Sequence, residues 1–377
     1  NGGLAEPQPL ILCPDLGQRD FVYPPEPGAG HLVAKVGESF RIACPGSKLN
    51  LRTVESSNDT LVTCVGNNYF SLHNNARIEE SFDRISCVRY PAYTARDTGV
   101  RCGNGVSVEI GFSLDSQIEF YRVIDLCHDN ALGHTIYAHA RIFAVIDAAQ
   151  TSFPRTSFRK GKFFQGIDIQ QVYGRDSQRK AVARILGSDE LADQYIPETG
   201  LPRGHLIAKT DLIYGSHQRT TFFYVNAVPM WQNVNTGNWL AMESSVRAYA
   251  SRRDLNLDVW VGGYGVLTLT DNKGQPREIY LSVNANGKGT VPVPKVMFKV
   301  VYNYRTRSGV VFLTANNPYL ERLSDDYRIC TDVCNRIDYI TWNRTQADRG
   351  MSYCCEVNDF RRAFPGIPCF ETMRLLL

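Results

Sequence analysis

Arg203, His205, Asn226, Asn235, Glu243 and Arg247 fall in one stretch of this 377-residue chain, and their types suit the hydrolysis of a phosphodiester bond. A neutral imidazole can take a proton from water, and an amide oxygen can hold a hard cation. A Glu and an Arg four residues apart share a helix face. The uncatalysed reaction is slow enough to call for about 20 kcal/mol of barrier lowering. Three tasks follow: deprotonating water, offsetting charge on the phosphoryl oxygens, and stabilising the leaving oxygen.

His205 suits the first task, because an imidazole with an ordinary pKa of about 6.5 is largely neutral at physiological pH. Asn235 suits direct ligation of Mg²⁺, which prefers oxygen donors and keeps several waters. Its rival role is an N-cap ahead of a helix, and a side chain that ligates a metal is not free to cap. Glu243 and Arg247 could be a plain surface ion pair worth a few tenths of a kcal/mol. Read functionally, Glu243 orients metal-bound water, and Arg247 with Arg203 neutralises the scissile phosphate.

The pattern Arg203-Gly204-His205-Leu206, Asn226-x-x-Pro229, Asn235-x-Gly237-x-Trp239, Glu243 and Arg247 resembles the DNA/RNA non-specific endonucleases. That resemblance covers roughly residues 116 to 360, and the cysteine-bearing extensions look like the secreted arthropod branch, including crustacean duplex-specific nucleases. It implies a ββα-metal fold and a metal-dependent endonuclease with one catalytic Mg²⁺, for which Mn²⁺ could substitute. It further implies His205 as general base, Asn235 as direct ligand and Glu243 as a contact to the metal's water shell. Arg203 and Arg247 would stabilise the phosphate, Asn226 would support the site, and products would carry 5'-phosphate and 3'-hydroxyl ends. The chain departs from many members at Pro202, where they have Asp, and at Met230, where they have Gln. Asp348-Arg349-Gly350 imitates the start of the motif but lacks the following His and the downstream Asn set.

Ahead of the motif, residues 151–187 hold eight basic residues against two acidic ones, with Phe153, Phe158, Phe163, Phe164 and Tyr173 interleaved. Arg155, Arg159, Lys160, Lys162, Arg175, Arg179, Lys180 and Arg184 are therefore candidates for tracking a phosphate backbone. The net charge of +3 is uneven, being −3 over residues 1–115 and +6 over residues 116–377. The part facing a polyanion is the C-terminal one.

Composition is ordinary for a globular protein, with 43% hydrophobic and 21% charged residues, and there is no apolar run of membrane-spanning length. The eleven cysteines form two sets, Cys13 to Cys127 and Cys330 to Cys369. Such usage points to an oxidising, extracellular setting, with a digestive role as one expectation. The sequons at Asn58 and Asn343 agree with secretion. An odd count leaves one thiol over or an intermolecular bridge. A zinc site at Cys330, Cys334, Cys354 and Cys355 is the alternative, but the spacing lacks paired two-residue knuckles.

The elements that position these groups read as α+β. Residues 1–115 have short alternating runs at Phe40–Ala43, Thr60–Thr63 and Val106–Ile110 between turn residues, which predicts a small disulfide-stapled β module. His31 and His73 stand alone in it. Residues 116–377 form the second unit, with a mixed, mainly antiparallel sheet and a disulfide-linked C-terminal extension. Paired strands are expected at Gln117–Leu126 and Thr135–Val145, and a short helix at Ser188–Tyr195. A buried strand is expected at Thr220–Val225, then a helix over Trp239–Arg252 with Trp239, Met242, Val246 and Tyr249 on one face. Further strands follow at Leu257–Leu269, Arg277–Val283, Val296–Tyr302 and Val310–Ala315. The leading expectation is a secreted Mg²⁺-dependent endonuclease acting on duplex DNA with little sequence preference. The rivals are a duplex-RNA or sugar-indifferent nuclease and a non-catalytic secreted nucleic-acid-binding module.

Overall fold

A computed structural model describes residues 5–15, 20–51, 57–72, 75–114 and 119–377. A first sheet is built from β1 (Leu10–Leu12), β2 (Ser39–Ala43), β3 (Asp59–Gly66), β4 (Tyr69–Leu72) and β5 (Asn75–Ser81), paired antiparallel in that order. Its inward residues Ile11, Phe40, Ile42, Val62, Phe70 and Leu72 make a small core of their own. The Cys44–Cys87 disulfide staples it. His73 and the expected division at residue 115 lie outside the described residues.

The large sheet has nine strands. It takes β6 (Thr94–Cys102), β7 (Gly105–Ser113), β8 (Phe120–Asp129), β9 (His134–Ile142), β12 (Leu257–Val266), β13 (Pro294–Asn303), β14 (Ser308–Ala315) and β15 (Ser352–Cys355). Each of these strands runs antiparallel to its neighbours in the order β15-β14-β13-β12-β9-β8-β7-β6, and the short strand Arg374–Leu375 adds parallel to β14. The sheet takes strands from both sides of residue 115, and Cys102–Cys127 bridges β6 to β8. β12, β13 and β14 are almost wholly buried, which is why they read as continuous apolar runs rather than alternating ones. Gly262 is dictated by close approach, since a Cβ there would sit 2.3 Å from the Ile136 carbonyl oxygen and 2.6 Å from the Phe298 ring.

Helices are few. α1 (Arg175–Leu186) ends on Gly187 at φ +68°, a left-handed cap suited to glycine. α2 (Asp189–Tyr195) is capped by Ser188, whose hydroxyl accepts from the Leu191 amide at 3.1 Å. The hairpin β10 (Arg203–His205) and β11 (Ala227–Pro229) leads to α3 (Leu240–Arg252), and α4 (Val357–Ala363) follows β15.

Several expectations are corrected. Thr220–Val225 is not a strand: it is the end of a helical turn over Gly215–Thr220, then a turn and a 3-10 segment. Thr220 and Thr221 give their hydroxyls to the carbonyls of His217 and Gln218, so the local backbone stays helical in spite of its β-prone composition. Arg277–Val283 is broken at Ile279 into two short strands. α1 was hidden by its basic, sparsely apolar sequence. Three thiols, Cys13, Cys64 and Cys369, are left unpaired rather than one. The zinc alternative fails, because Cys330–Cys355 and Cys334–Cys354 are disulfides.

Candidate active site

The hairpin places Arg203 opposite Pro229, Gly204 opposite Val228 and His205 opposite Ala227. Gly204 leaves room for Met230, whose Cβ and Sδ would lie 2.8 and 3.0 Å from an added Cβ. Met230 is thus a buried packing residue beneath the hairpin, and its amide donates to the Pro202 carbonyl at 3.3 Å. Asn226 is fully buried and both its amide hydrogens and its oxygen bond to backbone. Its Oδ1 accepts from Ile207 N at 2.9 Å, and its Nδ2 donates to the carbonyls of Ile207 and Thr221, both at 3.0 Å. It braces the loop that leaves His205, and both of its N–H donors are committed to that task.

His205 packs between Phe158 and Phe222, each ring centroid 5.0 Å away. Its Nε2 is buried without a partner, and Nδ1, which takes no hydrogen bond either, is the nitrogen left to solvent. Burial, with Arg155 nearby, pushes its pKa down to about 3, so the free protein holds a neutral ring. Arg203 lies in an aromatic box, its guanidinium carbon 5.6, 5.4 and 5.3 Å from the centroids of Phe158, Tyr173 and Tyr224. Its buried Nε has no hydrogen-bond partner. The rings hold the cation by their negative faces and leave its N–H groups for an anion. Phe158 touches both His205 and Arg203, and so links the two.

Asn235 is not an N-cap. Its backbone is helical (φ −60°, ψ −43°), and it opens a wide π-helical turn, Asn235–Trp239, that runs into α3. Its side-chain amide has no hydrogen-bond partner among the described residues. Such turns recur at functional sites, where they splay a side chain off the regular spiral. The irregularity sits at Gly237 (ψ −120°), where a Cβ would lie 2.7 Å from the Arg349 carbonyl oxygen. Next to it, buried Asn238 donates to the carbonyls of Asn343 (2.8 Å) and Gly350 (2.7 Å) and accepts from Asn343 N at 3.1 Å. The rejected imitation Asp348-Arg349-Gly350 is thus the brace of the real turn.

α3 carries Glu243 and Arg247 into a buried ionic cluster with two residues the sequence reading missed. Asp211, on the loop after His205, accepts from Arg247 Nη1 at 2.8 Å and from Lys299 Nζ at 2.6 Å. Burial alone would raise the Asp211 carboxyl, but Lys299 and Arg247 hold it below the usual carboxylate range. Arg247 Nη2 also donates to Ser244 Oγ at 3.1 Å. Glu243 is buried, and its pKa rises to about 7 through burial, with Lys299 and Arg247 opposing the shift and Asp211 adding to it. A lysine inside the apolar run of β13 was the one signal for Lys299: a buried ammonium requires a partner.

The basic segment divides. Arg155 is exposed beside the site, 5.5 Å from the Phe222 ring centroid, and its charge also lowers the pKa of Lys209, after burial. Arg159 stacks on Tyr93 at 3.9 Å and donates to its carbonyl. Arg179 is paired with Asp189 (2.9 Å) and Asp193 (2.8 Å), and Arg175 donates to the Pro197 carbonyl at 3.4 Å. Lys160 and Lys162 are exposed, whereas Lys180 and Arg184 line a groove between α1 and Tyr280–Val283.

The donor set fits a hard divalent cation. Asn235 offers an unengaged amide oxygen, and Glu243 is a buried carboxyl whose charged form needs a cation close by. Asp332, Cys334 and Cys354 also cluster, but both sulfurs are in one disulfide, and Asp332 accepts from the amides of Cys334 and Cys354 and from Arg344.

The DNA/RNA non-specific endonuclease family matches residues 103–360, well over half of the chain, and the protein belongs to that family. It is therefore a nuclease, of a family that works with a divalent cation. It is 26% identical to a salivary endonuclease of Lutzomyia longipalpis over 94% of this chain and 80% of that protein. It is 23% identical to salivary protein Tsal2A of Glossina morsitans morsitans, over 88% and 82% of the two chains. A salivary endonuclease of Culex quinquefasciatus is 26% identical over 75% of this chain and 72% of its own. A chain of the crystal structure of an EndoG/EndoGI complex aligns with TM-score 0.40 and 15% identity, covering 67% of this chain and 87% of that one. No helix among the described residues is long and apolar enough to cross a membrane.

Proposed function

We propose that this chain is a secreted, Mg²⁺-dependent endonuclease of the ββα-metal type that hydrolyses duplex DNA with little sequence preference, leaving 5'-phosphate and 3'-hydroxyl ends. The observation that carries this reading is a set of site groups without protein partners. Among the described residues His205 is neutral and unbonded, Arg203 has no carboxylate in its box, and Asn235 has a free amide. Polar groups shielded from water normally find partners, so side chains left without them are the ones available to a ligand.

Asn235 would ligate the cation directly and Glu243 would hold its water shell. The bound cation would supply Lewis-acid stabilisation of charge on the phosphoryl and leaving oxygens. The remaining chemistry belongs to this chain. The scissile phosphate sits against Arg203, whose aromatic box fixes the guanidinium plane. Arg247, oriented by Asp211 and Ser244, offers its remaining N–H groups to the same anion. His205 takes the proton of the attacking water at Nδ1. The neighbouring phosphate anion raises the basicity of an imidazole that burial has lowered, so the base gains strength only when substrate is present.

The N-terminal unit is a brace in this proposal. Tyr214 donates to the Val22 carbonyl at 2.6 Å and Arg41 to Glu119 at 2.9 Å, tying both sides together. A second reading, indifference to the sugar, is favoured by the family's DNA/RNA description. Digestion of duplex DNA, single-stranded DNA and duplex RNA at one salt concentration, with Mg²⁺ and then EDTA, separates the two. Duplex DNA should be cut fastest and every activity should vanish in EDTA. Cleavage that persists in EDTA would sink the metal-dependent reading.

A further inference from the structure

One buried carboxylate engages two cations right beside the carboxylate assigned to the metal ion. Asp211 accepts from Arg247 on one oxygen and from Lys299 on the other. The side chains of Asp211 and Lys299 are 0% exposed and that of Arg247 15% exposed. Glu243 belongs to the same cluster yet receives no hydrogen bond from either cation. This is unexpected for Glu and Arg four residues apart, which pair by default on a helix. Buried cations need a counter-charge, and with Asp211 gone Glu243 is the carboxylate left in the cluster among the described residues.

We infer that Asp211 is a positioning residue that keeps Glu243 open to a divalent cation by occupying Arg247 and Lys299. The inference rests on reading Glu243 as the carboxylate that serves the cation. Without Asp211, both cations turn to Glu243, and the ion pair formed there competes with the divalent cation for the same oxygens. Arg247 loses its fixed orientation in the same event, because Asp211 and Ser244 together set the plane of its guanidinium.

The test uses the full chain without nucleic acid, and titrates Mn²⁺ calorimetrically alongside a thermal melt. Asp211→Asn should bind Mn²⁺ at least about tenfold more weakly, in the range seen when a group supporting a metal ligand is lost. The double variant Asp211→Asn with Lys299→Met, which removes the released ammonium as well, should recover most of that affinity. Lys299→Met alone leaves Asp211 held by Arg247 and should bind Mn²⁺ at least as tightly as the parent. If Asp211→Asn does not fold, the other two variants decide: recovery fails if either binds weakly while melting normally. Parental affinity in a folded Asp211→Asn, or no gain in the double variant, overturns the inference. A parent chain that binds no Mn²⁺ at all instead overturns the assignment of Asn235 and Glu243, a separate and recognisable result.

Discussion

His205 and His217 look alike in isolation and differ in company. Both pack among aromatic rings, both leave Nε2 without a partner among the described residues, and desolvation pushes both to about pKa 3. His217 lies 4.1 Å from Phe21, with Tyr23, Tyr214 and Phe112 around it, so it seals the seam between the N-terminal strands and the large sheet. His205 instead neighbours Arg155, and shares Phe158 with Arg203. A perturbed imidazole therefore marks a burial site. It takes unpaired cations alongside, as Arg155 and Arg203 are for His205, to make one a candidate for chemistry.

Exchanging the two histidines in turn is the strongest way to break this comparison. His205→Ala should lower kcat for plasmid cleavage by on the order of 10²–10⁴ while leaving the melting temperature and DNA binding nearly unchanged. His217→Ala should do the reverse, lowering the melting temperature through loss of aromatic packing and leaving kcat within a few-fold. Comparable loss of cleavage in both would mean that position, and not chemistry, distinguishes them.

The next effect is on stability against pH. His128, His205 and His217 are held at about 3 and His134 at about 4, chiefly by burial. Each of these pKa values is depressed below its unfolded value of about 6.5, so the unfolded chain binds protons first as pH falls. Stability is complete above that pH and is lost between about 6.5 and 3, at about 1.4 kcal/mol per unit for each ring. His139 has the opposite sign: burial opposes its charge, but Asp125 and Asp258 raise its pKa, so its contribution is present at low pH and lost as pH rises. Melting temperature measured from pH 7 to pH 4 should fall, and should fall less steeply in His217→Ala.

The smallest effect separates two arginines of the basic segment. Arg155→Ala should weaken DNA binding several-fold and reduce the salt slope by about 1, as for one lost phosphate contact. Arg179→Ala, which removes a cation already paired with Asp189 and Asp193, should leave both unchanged. Equal slopes for the two variants would place the substrate path elsewhere on the protein.

What could be read from residue order follows from the range of the interactions. Glu243 and Arg247 share a helix face by simple spacing, and both enter one cluster. Asp211 and Lys299 are 88 residues apart, and their pairing needs the whole sheet to be in place. Trp239, Met242, Val246 and Tyr249 all point inward as the helical period predicts. Thr220–Val225 misled because its aromatic rings fill three different contacts, around Phe158, Tyr93 and Tyr173, instead of alternating across a strand. The rival reading of Asn235 as a helix cap is excluded by the π turn that it opens, a turn with Arg349 packed against its Gly237.

That approach has a consequence for how the turn keeps its shape. The segment that presses on Gly237 and receives Asn238 lies between Cys334 and Cys354, two half-cystines joined to each other, with Cys330–Cys355 closing a second loop around the first. The turn that presents Asn235 therefore borrows its rigidity from a covalently clamped tail more than a hundred residues away in sequence. Local opening of the tail and loosening of the turn become one event, so a reductant would loosen the turn that carries Asn235 without touching any residue of the turn itself.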